Sequence, residues 1–235
     1  KGEPGVSAGA LKNYKDASGE PVELIANDLA TSQPLPFTLS AGDETTTGTL
    51  NSALYSVNGV PASNAPITSA TTLTFEFRNP EISVTKTFTL DPSSYTVAFK
   101  ALVSRAGVGQ SVAVLWGPGI GDGTGQSTVK PEALFSVGGK VTRVAASGIA
   151  KQPSYLQNFE YVGIDDHYFA SFVLSPGAAS VTYSTLTIPP AVGSKASARE
   201  LVAYTITPPR ADQALSFYIG PKDFDTLASI DRNLT

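Results

Sequence analysis

The chain has 235 residues, a formal net charge of −4 and neither cysteine nor methionine, which excludes disulfide scaffolds, cysteine-ligated zinc and thiol chemistry. Its sixteen Lys and Arg residues are scattered, not gathered into the basic patch that nucleic acid requires, so no nucleic-acid partner is expected. Apolar residues make up 41% against 15% charged, with 21 Gly and 17 Pro, a composition of many short strands and turns and not of a disordered chain.

Taken in chain order, residues 40–72 are rich in Thr, Ser, Asn and Gly with weak periodicity, and read as a long excursion or as edge strands. Leu73, Phe75 and Phe77 then alternate with Thr72, Thr74 and Glu76, the period of a half-buried antiparallel strand. Val84–Leu90 is a further strand, and Tyr95, Val97, Phe99, Ala101 and Val103 repeat the alternation. Additional strands are expected at Ser111–Trp116, Phe159–Ile164, Tyr168–Leu174, Val181–Ile188, Glu200–Ile206 and Leu215–Ile219. Turn chemistry separates them at Asn58-Gly59, Asp91-Pro92, Gly138-Gly139, Ser175-Pro176-Gly177, Pro189-Pro190 and Pro208-Pro209. The spacing predicts an all-β sandwich or barrel. No composition shift marks a second domain, so residues 1–235 are expected to form one.

One helix is predicted, over residues 223–234. Phe224, Leu227, Ile230 and Leu234 follow helical spacing. Asp223 suits the cap and Asp225 the positive end of the helix dipole. Gly220-Pro221 is expected to turn the chain into this helix, with Gly allowing a sharp bend and Pro suiting the first turn. Phe224 and Leu227 are expected to dock it on the sandwich.

The residues that carry chemistry elsewhere are poorly placed here. His167 is the only histidine. Ser171 lies four residues on, about 13 Å away along one strand and out of reach for a triad. Asp165 and Asp166 are adjacent and read as a tight turn with His167 near its mouth. The run Gly117–Gly125 lacks the Lys-Ser/Thr ending and following helix of a phosphate loop, and Asp122 is its one carboxylate. It is expected to be a mobile surface connection. Trp116, Tyr155, Phe159 and Tyr161 would line a sugar-binding cleft or, as aromatic residues more often do, fill the core. No metal or organic cofactor is expected, since no ligand cluster is visible. No stretch approaches the ~20 apolar residues of a membrane span. The sequence does not begin with methionine, so the chain is expected to be a fragment or a processed product, and no signal peptide is visible.

Several segments, in order, resemble the periplasmic domain of YidC-type bacterial membrane protein insertases, the large first periplasmic region of those proteins. They are Leu11-Lys12-Asn13-Tyr14 with Pro21-Val22-Glu23-Leu24, Lys86–Leu90 with Tyr95, and Trp116–Gly121. The most specific is Tyr161-Val162-Gly163 with Tyr168-Phe169-Ala170, where Tyr161 stands in place of a Trp common in the family. The last is Phe217–Lys222. The resemblance implies a twisted β-sandwich of the galactose-mutarotase-like supersandwich kind, with residues 221–235 a C-terminal helix leading to an absent membrane domain. It further implies a non-enzymatic domain on the periplasmic face of the inner membrane of a Gram-negative bacterium, in a protein integral to that membrane. Its implied partners are Sec translocon components and inserting membrane proteins. Gly220, Pro221, Lys222, Phe224 and Leu227 are the candidate coupling to the membrane domain. The competing readings are a carbohydrate- or peptide-binding sandwich and an enzyme. Sugar epimerisation on that fold needs histidines with an acidic base, which a single His167 does not supply.

Overall fold

A computed structural model describes residues 10–15, 19–25, 33–60, 67–121, 130–189, 198–230 and 234. Asp122–Gly125 and Pro190, named above, and residues 231–233 of the expected helix lie outside the described residues.

The strands are β1 (Ala10–Lys15), β2 (Pro21–Glu23), β3 (Leu39–Ser40), β4 (Ser56–Asn58), β5 (Thr71–Arg78), β6 (Ile82–Asp91), β7 (Thr96–Arg105) and β8 (Val108–Gln110). They continue as β9 (Ala113–Trp116), β10 (Glu132–Val137), β11 (Lys140–Val144), β12 (Ser154–Asp165), β13 (Phe169–Ile188), β14 (Arg199–Thr207) and β15 (Leu215–Pro221). Among the described residues three short helices accompany them: α1 (Glu44–Ser52), α2 (Ala146–Ile149) and α3 (Phe224–Ile230). The mostly-β architecture expected from the alternation is therefore present.

The twenty-residue β13 organises the sheet. Its first half, Phe169–Leu174, pairs with β15, which leads through β7, β6 and β5 to β4. Its second half, Ser180–Ile188, pairs with β14, which leads through β9 to β3. The other edge of β13 pairs with β12 along both halves, and β12 carries β10 and β11. The partner change falls at Ser175-Pro176-Gly177, read from sequence as a turn. The structure corrects that reading: Tyr161 faces Leu174 and Phe159 faces Gly177, so Ser175 and Pro176 together oppose Glu160. This is a β-bulge, in which one unpaired residue bends the strand without ending it and a Pro costs no ladder bond.

The bend folds the two wings face to face, and aromatic side chains fill the space between them. Phe37, just before β3, is 2% exposed. Its ring lies 5.0 Å from Phe88, 5.0 Å from Phe99, 5.6 Å from Trp116 and 4.9 Å from Phe217. It thus joins β6, β7 and β15 of one wing to β9 of the other. Its φ of 64° is costly for a residue with a Cβ. Backbone hydrogen bonds from Phe37 N to Leu115 O (2.7 Å) and Leu115 N to Thr38 O (2.9 Å) hold it there.

Three sequence expectations change. Residues 40–72 contain α1, capped by Asp43 Oδ1 accepting from Thr46 N at 2.8 Å and anchored by the fully buried Leu50. Its run of threonines masks it, because β-branched residues score poorly as helix formers. The glycine-rich run is not a surface connection over Gly117–Gly121. That part is buried, with Gly119 N donating to Val202 O at 2.7 Å and Gly121 N to Leu24 O at 3.0 Å. The hairpin β10–β11 joins the sheet around the expected Gly138-Gly139 turn, although neither strand alternates clearly.

One core position is occupied by a cation. Ile82, Val84, Lys86 and Phe88 alternate on the inner side of β6, and Lys86 is 1% exposed with its Nζ 5.2 Å from the centre of the Tyr55 ring. Burial pulls the Lys86 ammonium down to about 8, whereas an unfolded Lys titrates near ~10.4. Between those values the unfolded chain binds more protons, so stability rises with pH. Burial also lifts the Tyr55 hydroxyl to about 12. Titration of unfolded tyrosines near ~10 therefore reverses the trend above that pH.

Two measurements follow. Phe37→Ala should lower the urea-unfolding free energy by about 3–5 kcal/mol, the usual loss for a buried Phe; a change below about 1 kcal/mol would contradict the bridging role. The stability of the wild type relative to Lys86→Met should rise from pH 8 to about 9.5, as the depressed ammonium requires. A flat difference would show that Lys86 is not desolvated in the fold.

Candidate functional site

The candidate coupling residues gather at one end of the sandwich, where the β12–β13 turn, the end of β15 and α3 meet. The turn is built by Asp166, as its residue type suggested. Asp166 Oδ1 accepts from Tyr168 N and Phe169 N, both at 2.9 Å, and Asp166 N donates to Phe169 O at 2.9 Å. His167 is exposed at the tip, its ring 4.0 Å from that of Tyr168. Ser171 is wholly buried, with its hydroxyl 3.0 Å from that of Tyr204. The fold thus commits Ser171 to the core and His167 to solvent and does not assemble them into a nucleophile–base pair. Among the described residues no group of three His, Asp or Glu side chains is gathered as a metal would require.

The aromatic residues weighed as a cleft lining are core. Trp116, Phe159 and Tyr161 are each at most 3% exposed, and Tyr155 is half-buried against Phe135 with ring centres 4.8 Å apart.

Gly220 and Pro221 do not turn the chain into the helix, contrary to expectation. Both lie in β15, opposite Ala170 and Phe169. Gly220 is needed for close approach: a Cβ there would sit 3.0 Å from the Tyr218 hydroxyl and 3.0 Å from Tyr95 Cβ and Cγ. Pro221 is tolerated because of direction. Ile219 N donates to Tyr95 O at 2.9 Å, and alternate residues of a strand aim N–H groups to the same side. The Pro221 nitrogen therefore faces the side on which β7 has already ended, where no donor is needed. Its carbonyl accepts from the Tyr218 hydroxyl at 2.5 Å.

The helix begins at Phe224. Asp223 caps it, accepting from Thr226 N at 2.9 Å and Thr226 Oγ1 at 2.6 Å. These hydrogen bonds, the hydroxyl's foremost, hold the Asp223 carboxyl below the usual carboxylate range. Leu227 is 7% exposed and packs with Leu134, Tyr161, Ala170, Phe172 and Tyr218, while Ile230 and Leu234 pack against the same group. These residues lie on the sheet face away from the main core, so β10, β12 and the first half of β13 are buried on both sides. Burial also pushes the Tyr218 hydroxyl well above its ordinary value.

Phe224 does not dock. It is 68% exposed, against the expectation that it would seat the helix with Leu227. At about 100° per residue, Leu227 and Ile230 share one face of α3, and Phe224 lies roughly 90° from its centre in the first turn. The helix therefore grips the sheet by one face and presents Phe224 from its margin. Tyr168, 64% exposed, is adjacent through a 2.7 Å bond from Lys222 N to its carbonyl.

The sequence reading missed Leu134, Tyr161, Phe172 and Tyr218 as the seat of the helix. Their signal was the run Tyr161-Val162 and the segment Phe169–Leu174, apolar but for Ser171, where a one-sided strand would alternate. It also missed Asp165, taken only as a turn residue: its side chain is 4% exposed and lies against Lys222 and Arg143.

Leu227→Ala should cost about 2–4 kcal/mol of stability, and Phe224→Ala should stay within about 0.5 kcal/mol of wild type, as exposed sites do. Urea unfolding of both variants checks this, and equal losses would mean that Phe224 is also seated.

Comparison with known proteins places this end of the molecule in context. The chain is 27% identical over 246 aligned positions to the membrane protein insertase YidC of Anaeromyxobacter dehalogenans, an alignment that covers 95% of this chain and 42% of the relative. The chain thus spans less than half the length of that curated relative. A family model described as the YidC periplasmic domain matches residues 6–235, taking in the sandwich, the β12–β13 turn and α3 alike, and the chain accordingly belongs to the YidC periplasmic domain family.

Proposed function

We propose that this chain is a non-catalytic domain on the periplasmic face of the bacterial inner membrane. It serves an insertase that assists insertion and folding of inner-membrane proteins, through contacts with Sec translocon components or client chains. In this reading residues 1–235 act as one unit, and α3 is the stiff connection to a membrane-embedded part. Family membership and the insertase named in the comparison support the setting. No helix among the described residues is long and apolar enough to cross a membrane.

One observation carries the coupling role: Leu227 seats α3 on the back of the sheet while Phe224 remains outward. A flexible tether would carry Gly and Ser without a seated stripe. Here the chain runs from a paired strand through a capped helix start with no free segment, so displacement of α3 moves the sheet with it. The alternative of a sugar- or peptide-binding groove loses its aromatic residues to the core.

In the full-length insertase, Phe224→Ala should lower insertion of a client membrane protein while the melting temperature of the 235-residue chain stays unchanged. A substitution of the exposed Leu54, 71% accessible and far along the chain in the α1–β4 connection, should leave insertion at wild-type level. Normal insertion by Phe224→Ala would refute coupling through this helix face.

A further inference from the structure

Asp165 closes β12, and its carboxylate is among the few buried charges of the described residues. A buried carboxylate is tolerated only when paired and hydrogen-bonded. Two cations meet the same oxygen: Asp165 Oδ2 lies 2.9 Å from Arg143 Nη1 and 2.8 Å from Lys222 Nζ. Arg143 also reaches Glu132 Oε2 at 3.4 Å, which balances the two positive charges with two negative ones. The four groups come from β10, β11, β12 and the junction between β15 and α3.

Lys222 is held to the β12–β13 turn by more than this pair. Its ammonium donates to Asp166 O at 2.7 Å and its backbone N–H to Tyr168 O at 2.7 Å. It is followed directly by Asp223, the cap of α3. The helix itself has seven residues and a single fully seated side chain, Leu227. So short a helix has little intrinsic stability, and its direction depends on what fixes the residues that enter it.

We infer that Lys222 is a positioning residue: held by the Asp165 carboxylate and the Asp166 carbonyl, it fixes the direction in which the chain leaves the sheet and enters α3. Arg143 neutralises the same carboxylate from β11 and not from the exit. This assignment rests on the coupling role of α3 and supplies its means of orientation. The two cations therefore differ in consequence. Lys222→Met removes the side-chain hold on the exit, at Asp165 and at Asp166 O alike, and leaves Asp165 paired with Arg143. Arg143→Met weakens the hairpin side and leaves the exit latched.

The test is amide hydrogen exchange on the 235-residue chain for both variants. Lys222→Met should speed exchange of the Leu227–Ile230 amides roughly tenfold or more, while β6 and β7 keep wild-type protection, as local opening predicts. Arg143→Met should change α3 only in step with the rest of the chain. If Lys222→Met leaves α3 as protected as in wild type, or loosens α3 and β6–β7 together, the positioning role is wrong. Insertion by the full-length protein separates this inference from the coupling reading. Lys222→Met that loosens α3 yet inserts clients normally upholds Lys222 as a positioning residue and overturns the coupling reading.

Discussion

A single strand shared by both wings of the sheet sets the rest of the molecule. β13 pairs with β15 over its first half and with β14 over its second, and the bulge at Ser175 and Pro176 opposite Glu160 lets it do so without breaking. The two wings face each other because their common strand bends between them. Phe37 and its ring of Phe88, Phe99, Trp116 and Phe217 then occupy the space the bend creates. Aromatic pairs add about 0.5–1.5 kcal/mol each beyond area burial, and a cluster centred on one ring makes the wings stabilise one another.

The same strand places the C-terminal helix. Because Phe169–Leu174 pair with β15, the chain must leave the sheet beside the β12–β13 turn. On the back of that region Leu134, Tyr161, Phe172 and Tyr218 form an apolar patch. Water would contact this patch if α3 did not cover it, which is the driving force for seating so short a helix. Gly220 and Pro221 keep β15 in register to its end, one by making room for Tyr95 and Tyr218, the other by lacking a donor where no acceptor strand remains.

Much of this was legible in the residues. Alternation in Leu73–Phe77 and Tyr95–Val103 located one-sided strands because one face meets the core and the other meets water. Helical spacing and Asp223 located α3, and the residue type of Asp166 located its turn. What alternation could not show is a strand buried twice. Tyr161–Ile164 and Phe169–Leu174 are apolar on both faces, one for the core and one for α3, so their pattern names no helix seat. Phe224 was misplaced because three- and four-residue spacing does not say which end of a stripe faces solvent. Ser175-Pro176-Gly177 has the composition of a turn, and only the partner strand decides that it is a bulge. Asp165 gave no signal at all, since its partners Arg143 and Lys222 are 22 and 57 positions away by their numbering. The five-part ordered resemblance nevertheless named the family that the whole-chain match establishes.

The account stands on α3 being a stiff extension of the sandwich and not a tether. Backbone ¹⁵N relaxation on the 235-residue chain measures that property directly. Order parameters for Leu227–Ile230 should match those of β15, near the ~0.85 of rigid backbone. Values below about 0.6, the range of flexible segments, alongside a rigid β15 would contradict it.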